Sequence, residues 1–378
     1  MKNYSQAFIQ YFVIIAIVLL FLTIVEITSR IYICQFAPFA IFQKYALPNQ
    51  CGTPPRLIPH HYLSYQGNPE FKSYNGDRHN ALGFRGPEIA NPKPKGRYRV
   101  IIVGGSTVYE TGVDHYRNDF ARNIETFLQD KYDTKNIEVI SGGISGYTSW
   151  ESLISLEMKL VDLEPDLLVF YDNLNDAEAR MVDPNSYKGD NSGRRIIYGS
   201  DFPFFEKFAF IRLLTKYQIG LEQLTAAPTS AFYIFHYKSK QDLELFGKEL
   251  GDLLKKNPPI YFERNLRSMI AISKEFKSDV MLATFAFSDQ FEGYVSAPIF
   301  QTAINEHNII IKNVAISHGV KLYDHALKFP KEKKYWSDGA HVNEIGVKLK
   351  ARLFSDFILK NWGKKINKTA DPGRGLEI

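Results

Sequence analysis

Five residues have the types and spacing that acyl transfer needs: Ser106, Gly146, Asn175, Asp338 and His341. Ser106 follows Gly104-Gly105 at the end of the branched apolar run Val100-Ile101-Ile102-Val103. Such a run suits a strand buried on both faces, and open α/β sheets bind their ligands at the carboxyl edge where it would end. A serine hydroxyl is a weak nucleophile until a neighbouring base takes its proton. Histidine is the usual base, because its unperturbed pKa of about 6.5 lies near working pH. The base in turn needs an acceptor on its other ring nitrogen. Asp338 and His341 stand three apart on one expected turn, so the carboxylate can orient its own neighbour. A tetrahedral intermediate also needs hydrogen-bond donors, which the backbone amides of Ser106 and Gly146 and the side-chain amide of Asn175 can supply.

The elements that must position these residues follow from periodicity. After Ser106, Asn118 is expected to cap a helix through Asp130, with Phe120, Ile124, Phe127 and Leu128 on one face. Strands are expected at Ile137–Ile140, Leu167–Tyr171, Val280–Ala286 and Val320–Tyr323, with helices at Trp150–Leu163, Tyr261–Phe276 and Ile304–His318. Gly146 lies in the glycine-rich turn Ser141–Ser149 after the second strand, and Asn175 in Asp172–Asp176 after the third. A last helix is expected from the Asp338–His341 turn to about Lys360. Strand alternating with helix at this spacing predicts an α/β domain, three layers deep around a parallel sheet.

This domain is expected over residues 98–362, with a polar tail at 363–378 and an aromatic-rich insertion at 177–258 that either covers the site or adds a helical layer away from the substrate. Residues 31–97 carry prolines and aromatics without long periodicity and read as an irregular stalk and entry segment. Residues 1–30 read as a membrane anchor. No charge occurs from Asn3 to Val25, and Phe12–Leu22 is unbroken apolar sequence. A spanning helix needs about 20 mostly apolar residues. Charge does not fix its orientation, since Lys2 lies on one side and Glu26 and Arg30 on the other.

Composition excludes several classes. A net charge of +5 without a basic, aromatic-interleaved stripe gives no support for a nucleic-acid partner. The two cysteines, Cys34 and Cys51, allow one local disulfide in an oxidising compartment or two free thiols. No Cys/His spacing resembles a zinc site, and neither metal nor other cofactor is expected. No Gly-x-Gly-x-x-Gly follows the first strand, which argues against dinucleotide binding, and Val108 stands where the second glycine of a Gly-x-Ser-x-Gly elbow belongs. Lys328, Lys331, Lys333 and Lys334 precede the Asp338–His341 turn and could attract an anionic substrate, although such runs are more often only solvated.

Taken together, Ser106, Gly146, Asn175 and the Asp338-x-x-His341 pair resemble the four blocks of the SGNH (GDSL-like) hydrolase superfamily, over about residues 80 to 360. That resemblance implies a flavodoxin-like three-layer fold. It implies Ser106 as nucleophile, His341 as base, Asp338 as its orienting carboxylate, and Ser106, Gly146 and Asn175 as the oxyanion hole. Two positions depart from the pattern: Gly105 replaces the aspartate of Gly-Asp-Ser, and Asn173 replaces the glycine of Gly-x-Asn-Asp. The anchor followed by Gly83-Phe84-Arg85-Gly86 is similar to bacterial membrane-anchored members, which implies an extracytoplasmic catalytic domain in the periplasm or at the cell surface. The expected activity is hydrolysis of O-acyl esters on a glycan or lipid. An O-acyltransferase using the same residues, and a non-catalytic assembly protein that keeps the fold, are the alternatives.

Overall fold

The computed structural model describes residues 2–37, 54, 56–63, 65–73, 75–182, 184–185, 187–189, 204–214, 247–291 and 294–370. The chain divides into two units, Met1–Arg56 with Gly199–Ala227, and Leu57–Tyr198 with Pro228–Ile378.

In the first unit, Lys2–Ile31 is one continuous helix that runs into a π-turn at Tyr32–Phe36. From Phe8 to Ile24 its large apolar side chains are exposed, and the stretch Phe8–Phe36 is long and apolar enough to cross a membrane. Within this unit Glu26 pairs with Arg30 and accepts the backbone N–H of Phe210. Cys51, half of the disulfide considered above, lies outside the described residues, as do residues 190–203 and 215–246 of the expected insertion.

The second unit is built on five parallel strands. They are β1 (Tyr98–Gly104), β2 (Ile137–Ser141), β3 (Leu167–Tyr171), β4 (Asp279–Ala283) and β5 (Lys321–Tyr323). Their spatial order is β2-β1-β3-β4-β5, the flavodoxin-like arrangement. Every residue of β1 is buried, as a strand flanked on both sides and covered on both faces requires. Alternate residues point to opposite faces. Val100, Ile102 and Val169 join a cluster with Phe120 and Leu128 of α1 (Phe120–Tyr132) and Phe354 and Ile358 of α5 (Glu344–Ala370). On the other face, Ile101, Val103 and Leu168 pack with Leu266 and Met269 of α3 (Ile260–Glu275) and Val314 of α4 (Pro298–His318). These two apolar layers make the α/β/α sandwich. A fifth helix, α2 (Ser149–Ser155), continues through a π-turn to Leu160 and a short 3-10 turn to Leu163.

Several boundaries differ from those expected. Asp119, not Asn118, caps α1, its carboxylate accepting the N–H of Arg122 at 2.7 Å. Helix α4 starts at Pro298, whose fixed φ suits a first helical turn. Strand β4 ends at Ala283, where pairing with Tyr323 stops. The last helix continues to Ala370, ten residues beyond Lys360. Phe354, Ile358, Trp362, Ile366 and Ala370, each four apart, are all buried, so the apolar stripe extends through a stretch whose overall composition is polar. Of the tail expected at 363–378, residues 371–378 lie outside the described residues.

The stretch from Leu57 to Arg97 belongs to the second unit and is not a stalk there. Leu57–Pro59 and Tyr65–Gly67 form a small antiparallel hairpin, and Leu63, Tyr65, Phe71, Phe84, His79 and Arg85 are buried. Asn80 accepts the backbone N–H groups of Leu82 and Phe84, closing a side-chain turn. Gly67 and Gly83 meet backbone to backbone, and a Cβ on either would strike the other's carbonyl. The segment carries no periodic signal because turns and close approaches, not a helix or strand face, pack it.

Candidate active site

Strand β1 delivers the serine. Gly104 pairs with Tyr171 at the carboxyl end of the sheet, and Ser106 opens the one-turn helix Ser106–Tyr109. A side chain at Gly105 would collide with the Asn175 amide and the Tyr147 carbonyl. The turns after β1, β2 and β3 therefore converge on this point, and the absent Cβ at 105 is what lets them. Asn175 Nδ2 donates to Tyr147 O at 2.7 Å, joining the turn that holds Gly146 to the one after β3. Gly146 has φ +83°, a left-handed conformation that suits glycine. Next to it Tyr65 donates its hydroxyl to Ser145 O at 2.8 Å, and Tyr147 returns a bond to Tyr65 O at 2.7 Å. Asp176 ties the same two turns from below by accepting the backbone N–H and the hydroxyl of Ser149. Asn173 faces away, donating to Ile304 O and Asn308 Oδ1 at 3.0 Å each. Of the two asparagines, only Asn175 lies against the serine turn.

The loop before α5 brings the histidine. Trp336 bridges Val342, and the N–H of Ser337 donates to His341 O at 2.7 Å. Asp338 Oδ1 accepts the N–H groups of Ala340 and His341, both at 2.7 Å. Its carboxylate also lies 2.8 Å from His341 Nδ1 through Oδ2, and His341 Nε2 lies 2.8 Å from Ser106 Oγ. The structure thus brings Ser106, His341 and Asp338 into one hydrogen-bonded chain across 235 positions of sequence. With Nδ1–H donated to the carboxylate, Nε2 is left to accept the serine proton.

Electrostatics favour that polarity. Desolvation disfavours the imidazolium of His341, but the Asp338 hydrogen bond and charge, helped by the charge of Glu110, outweigh it and raise its pKa above 6.5. Asp338 is held below the usual carboxylate range, because the His341 contact and the two backbone N–H groups outweigh partial desolvation.

Four charged residues beneath the site carry no obvious signal as a group. Arg85 donates to Tyr109 O at 3.1 Å, Glu110 O at 2.7 Å and Val113 O at 2.9 Å, while Asp77 holds its Nε at 2.9 Å. It binds the backbone that leaves the serine turn. Lys350 of α5 donates to Glu110 Oε2 at 2.6 Å and Thr107 O at 2.7 Å, lying over the Phe120 ring. Both partners of this ion pair are buried, their side chains 2% and 0% exposed. Burial pushes Glu110 up and Lys350 down, and each charge opposes the shift of the other. The available clues were the Gly-Phe-Arg-Gly motif around Arg85 and a lysine on the Val347–Ala351–Phe354 face of a helix.

Lys350→Met should strand a buried carboxylate and cost about 3–5 kcal/mol. Glu110→Gln combined with Lys350→Met removes both charges and should recover most of that loss. Urea midpoints at constant slope measure both; equal loss in the single and double variants would show that the ion pair is not what holds the turn.

No family model matches this chain, and no curated protein matches it. Solved structures with a similar arrangement include a lipase/acylhydrolase from Enterococcus faecalis (15% identity, 69% of this chain and 95% of that one, TM-score 0.42). The acetyl xylan esterase AlAXEase is another (17% identity, 69% and 99%, TM-score 0.42). A catalytic mutant of the acetylxylan esterase Axe2 from Geobacillus stearothermophilus is a third (15% identity, 70% and 96%, TM-score 0.41). At this level the likeness carries no argument of its own, and the reading of the site rests on its geometry.

Proposed function

We propose that this protein is a serine esterase of the SGNH type that removes short O-acyl groups from a glycan or lipid through an acyl-enzyme. One observation carries the reading: the unbroken contact from the Asp338 carboxylate through His341 to the hydroxyl of Ser106, 2.8 Å at each step. In the proposed reaction Ser106 Oγ attacks the ester carbonyl carbon as His341 Nε2 takes its proton. Asp338 holds the imidazole in the required tautomer and stabilises the imidazolium that forms. The backbone N–H groups of Ser106 and Gly146 and the amide of Asn175 are the donors proposed for the oxyanion. Collapse expels the alcohol, which leaves with the proton from His341. Water, deprotonated by the same nitrogen, then attacks the acyl-serine, and the carboxylic acid departs as Ser106 recovers its proton.

The helix within Phe8–Phe36 is proposed as a single membrane anchor, with the second unit on the extracytoplasmic side. Alkaline carbonate should leave the full chain in the membrane pellet; release into the supernatant would remove the anchor.

Ser106→Ala should lower kcat on a short-chain aryl ester by roughly 10⁴ or more while leaving the denaturant midpoint in place. Retained turnover would sink the nucleophile assignment. The pH profile tests the base separately. Neutral imidazole is the active form, so activity is lost as pH falls through the pKa of His341. Because that pKa is raised, the acid limb of kcat/KM should fall above pH 6.5. Asp338→Asn removes the main cause of the raising and should move the limb to lower pH as the rate drops by roughly 10³–10⁴. An acid limb that does not move would mean another group sets it.

A further inference from the structure

The lysines ahead of the Asp338–His341 turn form a rim that the proposed chemistry does not use. Lys328, Lys331, Lys333 and Lys334 are all exposed. Lys331 Nζ lies 4.9 Å from the Phe287 ring centre, Lys333 Nζ 5.1 Å from Phe291 and Lys334 Nζ 4.9 Å from Tyr335. An aromatic face beneath the ammonium restrains the stem and leaves the remaining N–H donors to solvent. Of these four, only Lys331 has a carboxylate within 4.0 Å among the described residues, Asp289 at 3.6 Å. Glu332 is the one acidic residue between Lys328 and Lys334.

This rim and the base-bearing turn are one connected piece. Ser288 donates its hydroxyl to Lys331 O at 2.6 Å and its N–H to Gly339 O at 2.9 Å, between Asp338 and His341. Trp336 Nε1 donates to Pro330 O at 2.9 Å, and the N–H of Lys333 to Gln290 Oε1 at 2.9 Å. Four peptide steps separate Lys334 from Asp338, so their Cα atoms are at most about 14 Å apart. An anionic group bound at the rim would therefore sit a few sugar units from an ester at Ser106.

We propose that the Lys328–Lys334 rim is a subsite for carboxylate or phosphate groups repeated along a chain, and that the substrate is an O-acylated acidic polysaccharide. The second half rests on the esterase reading; the first does not. Clustered cations beside a cleft raise the local concentration of a polyanion and bind it through several weak contacts at once. A bilayer fits less well: Leu327, 80% exposed, is the single strongly exposed large apolar residue on this loop.

The test is calorimetric titration of the full chain in detergent with polygalacturonate, a non-acylated polyuronate, and with neutral xylan. The polyuronate should bind more tightly than xylan and weaken as salt rises. Lys328→Gln, Lys331→Gln, Lys333→Gln and Lys334→Gln together should weaken it about tenfold, since each exposed pair contributes little, with the near-UV circular dichroism unchanged. Arginine at the same four positions should restore it. Equal polyuronate affinity in wild type and the glutamine variant would overturn the proposal, as would the absence of polyuronate binding. So would a charge effect seen only with phosphatidylglycerol vesicles, which would assign the rim to a lipid surface. Failure of the wild type to hydrolyse aryl esters would instead remove the esterase reading, with the binding result standing apart from it.

Discussion

The ammonium of Lys350, held between Glu110 Oε2 and the carbonyl of Thr107, joins two parts of the chain that must stay in register. Glu110 and Thr107 belong to the turn that carries Ser106; Lys350 belongs to the helix that begins three residues after His341. A pair like this gains little net stability, because two charges must leave water. Its contribution is positional. Side-chain ends that meet at 2.6 Å fix the rotation and axial position of α5 against the serine turn. The bridge between Trp336 and Val342 fixes the loop ahead of that helix. Arg85 does the corresponding work from the opposite direction by binding three carbonyls of the segment just after the serine.

The sheet order supplies the other half of the convergence. From β1 the chain crosses to β2 on one side and then returns to β3 on the other, which opens a crevice at the carboxyl ends of those strands. Ser106 stands at the end of the middle strand, so the turns bearing Gly146 and Asn175 flank it. Backbone sterics then decide how near they come. The contact of the Asn175 amide and the Tyr147 carbonyl with Gly105 leaves no room for a side chain there. An aspartate at that position, as in Gly-Asp-Ser, would not fit this arrangement. The glycine at 105 and the bond from Asn175 to Tyr147 are parts of one local solution.

What the amino-acid order revealed was local. Gly104-Gly105-Ser106 after a branched run, and Asp338-x-x-His341 before a helix, are short patterns whose geometry is set within a few residues. The alternating elements likewise follow from near-neighbour periodicity, and the strand β3 has the expected limits, Leu167–Tyr171. Side chains whose role depends on distant partners were not legible. Lys350 looks like one more helix lysine until Glu110 arrives from 240 positions away. Leu57–Arg97 gives no period because isolated residues such as Leu63 and Phe84 fill gaps between turns. The end of α5 was obscured by the reverse effect: lysines and Gly363 dominate its composition, while Trp362 and Ile366 maintain the buried stripe.

The charges around His341 divide into two kinds. Asp338 is more than half exposed, its side chain at 57%, against 19% for His341. Its influence on the ring comes from direct bonding, with one oxygen on Nδ1 and two backbone donors fixing the other, together with its charge. Glu110 and Lys350 act through a buried medium, where screening is weak, and they push the imidazole in opposite directions. The Asp338 contact acts on the ring more strongly than either. His341 is thus oriented by a partner that solvent can reach, while the buried pair ties α5 to the serine turn.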